Sequence, residues 1–281
     1  MASSLREACG KQFVLACRGF CPLVDDIVVF SHENNKYFTS RSRFRGSRVH
    51  LLPNHVGETP QNPRRVAGLR ALAPVGSAVF LRISHIDRTY ETTAEQAINL
   101  VMRLRRDNFP AFFLGIGVVS ESGVCDRLHA LLGDSGRLLV SPDYTLNASE
   151  AIGAGDFVIG TGRSLMGAAA RGRVLLAPVS GPSIPVLVTP GNWEDLHRAN
   201  FSPRGTLPGL DERENYAMIQ TVLASPERRA EFQAFSRALY EEHFALAGAV
   251  GKYLSIYRDL EPRRTRAGDH FLHWLWLLKA A

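Results

Sequence analysis

The sequence predicts an α/β protein with a doubly wound parallel sheet, on three observations. The chain of 281 residues is 45% hydrophobic, which is enough apolar material for one large core or two small ones. Residues 149–178 contain an apolar strand, a glycine turn, an alanine-rich helix and a second apolar strand, which is the pattern of a βαβ unit. Strand and helix patterns also alternate before this unit, as expected for a parallel sheet with helices on both faces.

The first 56 residues are predicted to form a small and incomplete N-terminal α/β segment. Apolar strands are expected at residues 12–17, 26–30 and 48–52, with a helix that follows Ser31 and ends near Ser40. Residues 57–76 are rich in proline, glycine and arginine, and are therefore predicted to be a linker.

Residues 77–225 are predicted to form the main domain. The helix expected at residues 92–106 has its apolar residues on one face, at Ala97, Leu100, Val101 and Leu104. The chain beyond residue 226 is predicted to be a helical C-terminus, with a helical pattern at 226–257 and a short apolar tail at 270–281. The remaining predicted strands are 78–84, 111–116, 137–140, 156–159 and 174–177, and the remaining helices are 124–132, 163–171 and 212–223.

A glycine turn follows the predicted strand 156–159 and opens the next helix. Without side chains at Gly160 and Gly162, a ligand can approach the backbone N–H groups closely, and the helix dipole favours negative charge there. Arg163 adds a cation to the same turn. These features indicate a phosphate site formed by Gly160, Thr161, Gly162, Arg163 and Ser164, although a plain strand-to-helix turn would give the same pattern.

The same βαβ unit resembles the signature region of family 4-type retaining glycosyltransferases, which have the two-domain GT-B fold and use nucleotide-diphosphate sugars. The resemblance implies that residues 77–225 are the Rossmann-like, C-terminal nucleotide-sugar domain of a GT-B fold. The matching positions are Gly160, Gly162, Gly172, Ala168 and Ala170.

A second part of the resemblance lies in the N-terminal segment. The strand at residues 48–52 ends in a Pro-Asn-x-Val pattern at Pro53, Asn54 and Val56, as the last strand of the family's N-terminal domain does. The resemblance therefore implies that residues 1–56 are only the end of an acceptor-side domain, whose earlier strands are absent.

The sequence departs from the family at two glutamate positions, eight residues apart, which correspond to Ile159 and Gly167. Gly167 lies on the helix face that presents the ribose-binding carboxylate in the family, and its lack of a side chain removes that hydrogen bond. Asn147, Ser149 and Glu150 are nearby substitutes, but helix capping is the favoured role for Asn147 or Ser149.

A further departure concerns the cations that the family places after the first strand of the second domain to bind the diphosphate. Alignment on residues 78–84 puts His85 at the arginine position and Tyr90 at the lysine position. Arg82 and Arg88 lie close by in sequence and are candidates to replace them, although strand alternation and a solvated loop would also explain these two arginines.

The resemblance implies transfer of a hexose from a nucleotide-diphosphate sugar to a sugar or lipid-linked acceptor, either directly or with a separate acceptor-domain partner. The alternative is a non-catalytic module that binds a nucleotide sugar or has a regulatory role. The implied partners are a nucleotide sugar or nucleoside diphosphate, and a second copy or another protein in a homodimer or hetero-complex. No catalytic residue and no metal site are assigned. No cofactor is expected, because the nucleotide-diphosphate sugar is the donor substrate.

Other functional classes have weaker support in the sequence. The net charge of +6 comes from scattered arginines without a dense basic run, which argues against nucleic-acid binding. A dinucleotide site is disfavoured because the third glycine falls at Gly167 and no acidic residue ends a strand about twenty residues later. The four cysteines, Cys9, Cys17, Cys21 and Cys125, are predicted to be buried thiols.

The predicted location is the cytoplasm, because the N-terminal residues have no apolar signal core and no apolar run reaches about twenty residues. The tail at residues 270–281 has three candidate contacts: the protein's own surface, a partner, or a membrane surface.

Overall fold

A computed structural model describes residues 25–41, 44 and 46–260. These residues form two compact units, of which the larger is Asn54–Gly248. The smaller unit contains the described residues before Asn54 together with those from Ala249 onward. The predicted strand at 12–17 and the tail at 270–281 lie outside the described residues.

The smaller unit is built on two parallel strands, β1 (Asp26–Val29) and β2 (Arg48–Leu51), joined by helix α1 (His32–Thr39). Asp26 accepts hydrogen bonds from Arg48 Nη2 at 3.0 Å and from His50 Nε2 at 2.7 Å. These bonds, first from Arg48 and then from His50, lower the pKa of the Asp26 carboxyl. The predicted strand, helix and strand of this segment are therefore confirmed within residues 25–52.

The larger unit is organised around a six-stranded sheet with the order β5-β4-β3-β6-β7-β8. The first five strands are parallel, and β8 is antiparallel to β7. This confirms the predicted doubly wound parallel sheet. The strands are β3 (Ala78–Ile83), β4 (Ala111–Ile116), β5 (Gly136–Leu139), β6 (Phe157–Ile159), β7 (Val174–Ala177) and β8 (Val186–Leu187).

Helices cover both faces of the sheet, because its side chains alternate between two apolar cores. On β3, Val79 and Leu81 pack in one core, while Ala78 and Phe80 pack in the other. The helices are α2 (Pro63–Arg70), α3 (Glu91–Arg106), α4 (Ser122–Leu132), α5 (Pro142–Thr145), α6 (Gly162–Ala169), α7 (Trp193–Arg198), α8 (Glu212–Ala224), α9 (Pro226–Leu239) and α10 (Leu246–Arg258). Short 3-10 helices lie at Gly133–Ser135 and Ala148–Ala154, and a π-helical turn at Tyr240–Phe244.

The segment 57–76, predicted as a linker, contains helix α2. This helix begins where the Asn62 side chain accepts the Arg65 N–H at 3.2 Å, with Pro63 at its first position. Leu69 on the helix is 1% exposed. The high content of proline, glycine and arginine therefore did not predict this helix, although it has a good N-cap and one buried apolar residue.

The long helical pattern at 226–257 is interrupted. Ala245 has an extended backbone and forms a parallel bridge with Val56. The Val56 N–H donates to Phe244 O at 2.8 Å, and the Leu246 N–H donates to Val56 O at 3.0 Å. A pairing between residues so far apart in the chain overrides the local helical pattern, so α9 and α10 are separate.

Asp156 connects helix α2 to the central strands. Its carboxylate accepts the Val79 N–H at 2.9 Å and Arg70 Nη1 at 2.8 Å, and Arg70 Nη2 contacts its second oxygen. The Asp156 side chain is 14% exposed, so these bonds are partly shielded from water. Replacing the carboxylate leaves a backbone N–H and a guanidinium without their acceptor.

We expect Asp156→Ala to lower the free energy of unfolding by about 1 to 3 kcal/mol, the cost of an unsatisfied buried donor. Asp156→Asn should lower it less, because an amide oxygen can still accept the Val79 N–H. Urea denaturation measures both changes. Asp134→Ala is the matched control, since Asp134 is 89% exposed in its ion pair with Arg105, and should change stability by less than about 0.5 kcal/mol. Equal denaturation midpoints for Asp156→Ala and the control would contradict this role.

Candidate functional site

The carboxyl ends of β3 and β6 meet at the point where the sheet reverses its strand order. The two strands pair in parallel, with Arg82 opposite Ile159. From β3 the chain proceeds to β4 on one side, and from β6 it proceeds to β7 on the other. The loops that leave these two strands therefore diverge, and in open α/β sheets such a crevice is the usual place for a ligand.

The glycine turn after β6 needs two residues without side chains. A Cβ atom on Gly160 would lie 2.6 Å from Ser164 Oγ. Gly162 has a φ of +50°, which other residues rarely adopt, and its Cβ would lie 3.2 Å from Asn200 Nδ2. The Gly160 N–H donates to Leu176 O at 3.1 Å, so it belongs to the sheet.

Two further N–H groups of this turn, those of Thr161 and Gly162, also have partners inside the larger unit. The Gly162 N–H donates to Asn200 O at 3.1 Å. The Thr161 N–H donates to Ser164 Oγ at 3.3 Å, as part of a capping box at the start of α6. Arg163 is exposed. A ligand that uses the Gly162 N–H must therefore replace the carbonyl of Asn200, whereas Arg163 is open to solvent.

No sequence feature predicted that the loop containing Asn200 would lie against this turn. Asn200 and Phe201 both have left-handed backbones, with φ of +56° and +51°. Phe201 is 1% exposed and anchors the loop, and Asn54 Nδ2 donates to Asn200 Oδ1 at 3.1 Å. Asn54 and Asn200, which are far apart in the chain, therefore hold this loop against Gly162.

Gly167 lies within α6 and is half-buried. A Cβ atom there would meet Ile152 Cδ1 at 3.4 Å, which is an ordinary contact and leaves space for a side chain. Asn147 precedes the 3-10 helix Ala148–Ala154 but makes no capping bond with its side chain, so the capping role expected of it is wrong. The φ of Asn147 is +52°, and asparagine tolerates this left-handed conformation better than most residues, which explains why an asparagine is found at this position. Glu150 lies 4.0 Å from Arg65 in an ion pair.

On the β3 side, the buried residue Arg82 is the main charged group. It is 3% exposed, and its Nη2 donates to Thr93 Oγ1 at 2.5 Å, while Nε and Nη1 are buried without a hydrogen-bond partner. Burial lowers the pKa of this guanidinium to about 10, and Tyr90 opposes the shift. Arg82 therefore stays a cation at neutral pH. The sequence did not indicate Thr93, whose hydroxyl also donates to Tyr90 O at 2.7 Å.

Three of the four sequence candidates on this side line one cavity. Arg82, His85 and Tyr90 line a small cavity of about 10 Å³, close to the space that one water molecule needs, and its other walls include residues of β4, β5 and α4. Arg88 is not among the lining residues; its side chain is 81% exposed and lies 3.8 Å from Glu121. The structure thus brings Arg82, His85 and Tyr90 together and places Arg88 in a solvated loop.

Residues 25–41, 44 and 46–260 contain neither a metal-ligand cluster nor a membrane-spanning helix. These residues contain no group of three or more His, Cys, Asp or Glu side chains placed to hold a metal ion. Over the same residues, each helix is too short or too polar to cross a membrane. Cys125 is a buried free thiol as predicted, and burial raises its pKa; the other three cysteines lie outside the described residues.

Arg82 gives a stability prediction, because burying a cation with two unpartnered nitrogens is costly. We expect Arg82→Met, which fills similar space without charge, to leave the free energy of unfolding unchanged or to raise it by up to about 3 kcal/mol. Arg88→Met, on an exposed side chain, should change it by less than about 0.5 kcal/mol. Urea denaturation at neutral pH tests both. A loss of more than about 1 kcal/mol in Arg82→Met would mean that the guanidinium stabilises the fold.

No protein-family model and no curated protein matches the sequence, but solved structures match the fold. A glycosyltransferase from Rickettsia africae ESF-5 is 13% identical, with a TM-score of 0.60 over 89% of this chain and 67% of that one. Sucrose-phosphate synthase from Thermosynechococcus elongatus is 15% identical, with a TM-score of 0.58 over 89% of this chain and 61% of that one. A structure described as trehalose-6-phosphate from E. coli bound with UDP-2-fluoro glucose is 13% identical, with a TM-score of 0.53 over 85% and 62%.

The chain spans between 61% and 67% of the length of these three structures. At such identities the likeness concerns the fold, and it agrees with the parallel sheet and its strand order. The protein therefore has the Rossmann-like α/β fold of GT-B glycosyltransferases.

Proposed function

We propose that the crevice at the carboxyl ends of β3 and β6 binds a nucleoside diphosphate or nucleotide sugar, and that the chain is a glycosyltransferase of the GT-B type. The observation that carries this proposal is Arg82, a buried cation with two unpartnered nitrogens at the point where such sheets bind ligands. A neighbour in fold bound with UDP-2-fluoro glucose supports the same ligand class.

The chemistry of sugar transfer explains why a cation would be kept there. When the bond from the sugar's anomeric carbon to the diphosphate oxygen breaks, the diphosphate takes the electron pair and gains negative charge. A fixed cation in a low-dielectric site stabilises that charge without having to reorganise. The acceptor hydroxyl oxygen bonds to the anomeric carbon and loses its proton. Arg82, His85 and Tyr90 line the cavity on the β3 side, and the start of α6 adds its dipole on the β6 side.

The missing carboxylate at Gly167 makes the proposed binding weak. A charge-assisted hydrogen bond is worth about 1.5 to 3 kcal/mol, so its loss weakens a nucleotide by roughly one to two decades. The internal bond from Gly162 to Asn200 adds a further cost, because the ligand must replace it. We therefore propose binding in the high micromolar to millimolar range.

The acceptor and the partners are part of the same proposal. We propose that acceptor binding involves a partner, either a second copy or a different protein. The proposed reaction takes place in the cytoplasm, with a sugar or a lipid-linked acceptor.

Calorimetry with UDP, GDP and ADP tests the nucleotide site. We expect saturable binding of at least one of them, weakened about tenfold in Arg82→Met, which corresponds to about 1.4 kcal/mol. Arg88→Met should retain binding within twofold. Gly162→Ala should weaken binding, whereas Gly172→Ala should not: both glycines have left-handed backbones, but Gly172 follows the opposite end of α6.

Equal affinities in Arg82→Met and Arg88→Met would contradict the role of Arg82, and no heat at millimolar ligand would contradict the site itself. If a nucleotide sugar binds, release of its nucleoside diphosphate in the presence of acceptors separates an enzyme from a binding module.

Gly167→Glu should tighten nucleotide binding by about tenfold, since it supplies a carboxylate on a helix face with space for a side chain. It should also stabilise the protein by up to about 1 kcal/mol, because glycine is a poor helix former. The same titrations and a urea curve measure both effects. Unchanged affinity in a folded, equally stable variant would mean that this face of α6 does not meet the ribose.

A further inference from the structure

A second opening lies at the amino-terminal edge of the same sheet, where β3 and β6 begin. It is a groove of about 520 Å³. Ala78 at the start of β3 and Asp156 just before β6 both line it. β3 has six residues and rises about 3.3 Å per residue, so this groove is roughly 20 Å from the crevice at the other end. Phosphates bound in the crevice do not reach it.

The groove has more positive charge than its single carboxylate can balance. Arg70 and Arg229 line it, and Arg173 is close enough to Asp156 and Arg70 to interact with both electrostatically. Asp156 is already occupied by Arg70 and by the Val79 N–H. The two arginines and the one carboxylate that line the groove leave an excess of one positive charge, and Arg173 is a further cation outside the lining.

Two of these arginines also carry a nitrogen with no acceptor. Arg229 Nη2 donates to Leu223 O at 2.6 Å, but its Nε is buried without a hydrogen-bond partner. The Nε of Arg173 is in the same state. Burial lowers the pKa of the Arg173 guanidinium, while Asp156 raises it and Arg70 and Arg171 lower it. Of these two arginines only Arg229 lines the groove, and an anion there would supply it with an acceptor and a counter-charge.

The groove also has an apolar part, although Ser77 adds a hydroxyl to its lining. Phe109 and Pro110 come from the loop between α3 and β4, and Leu223 and Ala224 come from the end of α8. A lining that combines arginines with an aromatic ring and aliphatic groups fits a ligand that has a charged end and an apolar end.

We propose that this groove is a second ligand site, for a small phosphate monoester whose phosphate binds Arg229 and Arg70, the two arginines that line the groove, and whose apolar part packs on Phe109. A phosphate monoester carries between about one and a half and two negative charges near pH 7, opposite in sign to the excess charge of the groove. Arginine is suited to it because its planar fork binds two phosphate oxygens at once. The site is independent of the nucleotide crevice.

Calorimetry on the full chain with phenyl phosphate and with inorganic phosphate tests this proposal. We expect one saturable site for phenyl phosphate and affinity at least tenfold weaker for inorganic phosphate, which has no apolar part. Arg229→Met should weaken phenyl phosphate at least tenfold. Arg228→Met is the matched control, because the adjacent Arg228 is 60% exposed, pairs with Glu231 and does not line the groove. It should retain affinity within twofold.

Several results would overturn the site. They are an absence of saturable binding, equal weakening by Arg228→Met and Arg229→Met, or equal affinity for the two phosphates. Weakening by Gly162→Ala to the same extent as by Arg229→Met would place the phosphate in the crevice instead. If Arg229→Met fails to fold by circular dichroism, Arg229→Lys keeps the charge but removes the fork, and it should weaken phenyl phosphate at least threefold; unchanged affinity in it would count against the site.

Discussion

The pairing of β3 with β6 is the constraint on which the larger unit depends. It joins the two halves of the doubly wound sheet, and each half would otherwise end in an exposed strand edge. Phe80 and Phe157 stack across this pair with ring centroids 4.6 Å apart. Asp156 fixes the start of the pair through the Val79 N–H, so the register is held by a side chain as well as by the ladder. Both proposed ligand sites follow from this arrangement, one at each end of the same two strands.

A buried charge has opposite effects on stability at the two ends of the β3–β6 pair, as Asp156 and Arg82 show. Asp156 has an acceptor role that helix α2 and strand β3 both need, so its charge contributes to the fold. Arg82 lies in the core with one hydrogen bond to Thr93 and two nitrogens unmatched, so its charge opposes the fold. Perturbed charges of this kind concentrate at functional sites, because binding or catalysis compensates for what stability loses.

The sequence predicted the elements whose signal is local. Strands β4 and β7 occur at the predicted residues, because a short apolar run bounded by turns is typical of a buried strand. Helix α3 was predicted to within one residue from its apolar face. The glycine turn was also predicted, since the left-handed backbone at Gly162 and the contact of Gly160 with Ser164 are local requirements.

The features that the sequence missed depend on distant partners. Helix α10 begins at Leu246 because Val56 pairs with Ala245, and no local pattern contains that information. The burial of Arg82 against Thr93 depends on how α3 packs on the sheet. Alternation along the strand therefore predicted the sheet face on which Arg82 lies, but not its hydrogen bond with Thr93. The bond from Gly162 to Asn200 joins residues that only the completed fold brings together.

The bond between Asn200 O and the Gly162 N–H has a consequence for the rate of ligand binding. Because Phe201 is buried in the core and Asn54 donates to Asn200, we expect the loop to open only when the bond from Asn54 also breaks. Any ligand that takes the Gly162 N–H must wait for that opening, so loop motion and not diffusion would set its fastest rate of entry. The observed association rate would then reach a plateau as the ligand concentration rises, and the plateau would equal the opening rate of residues 199–202.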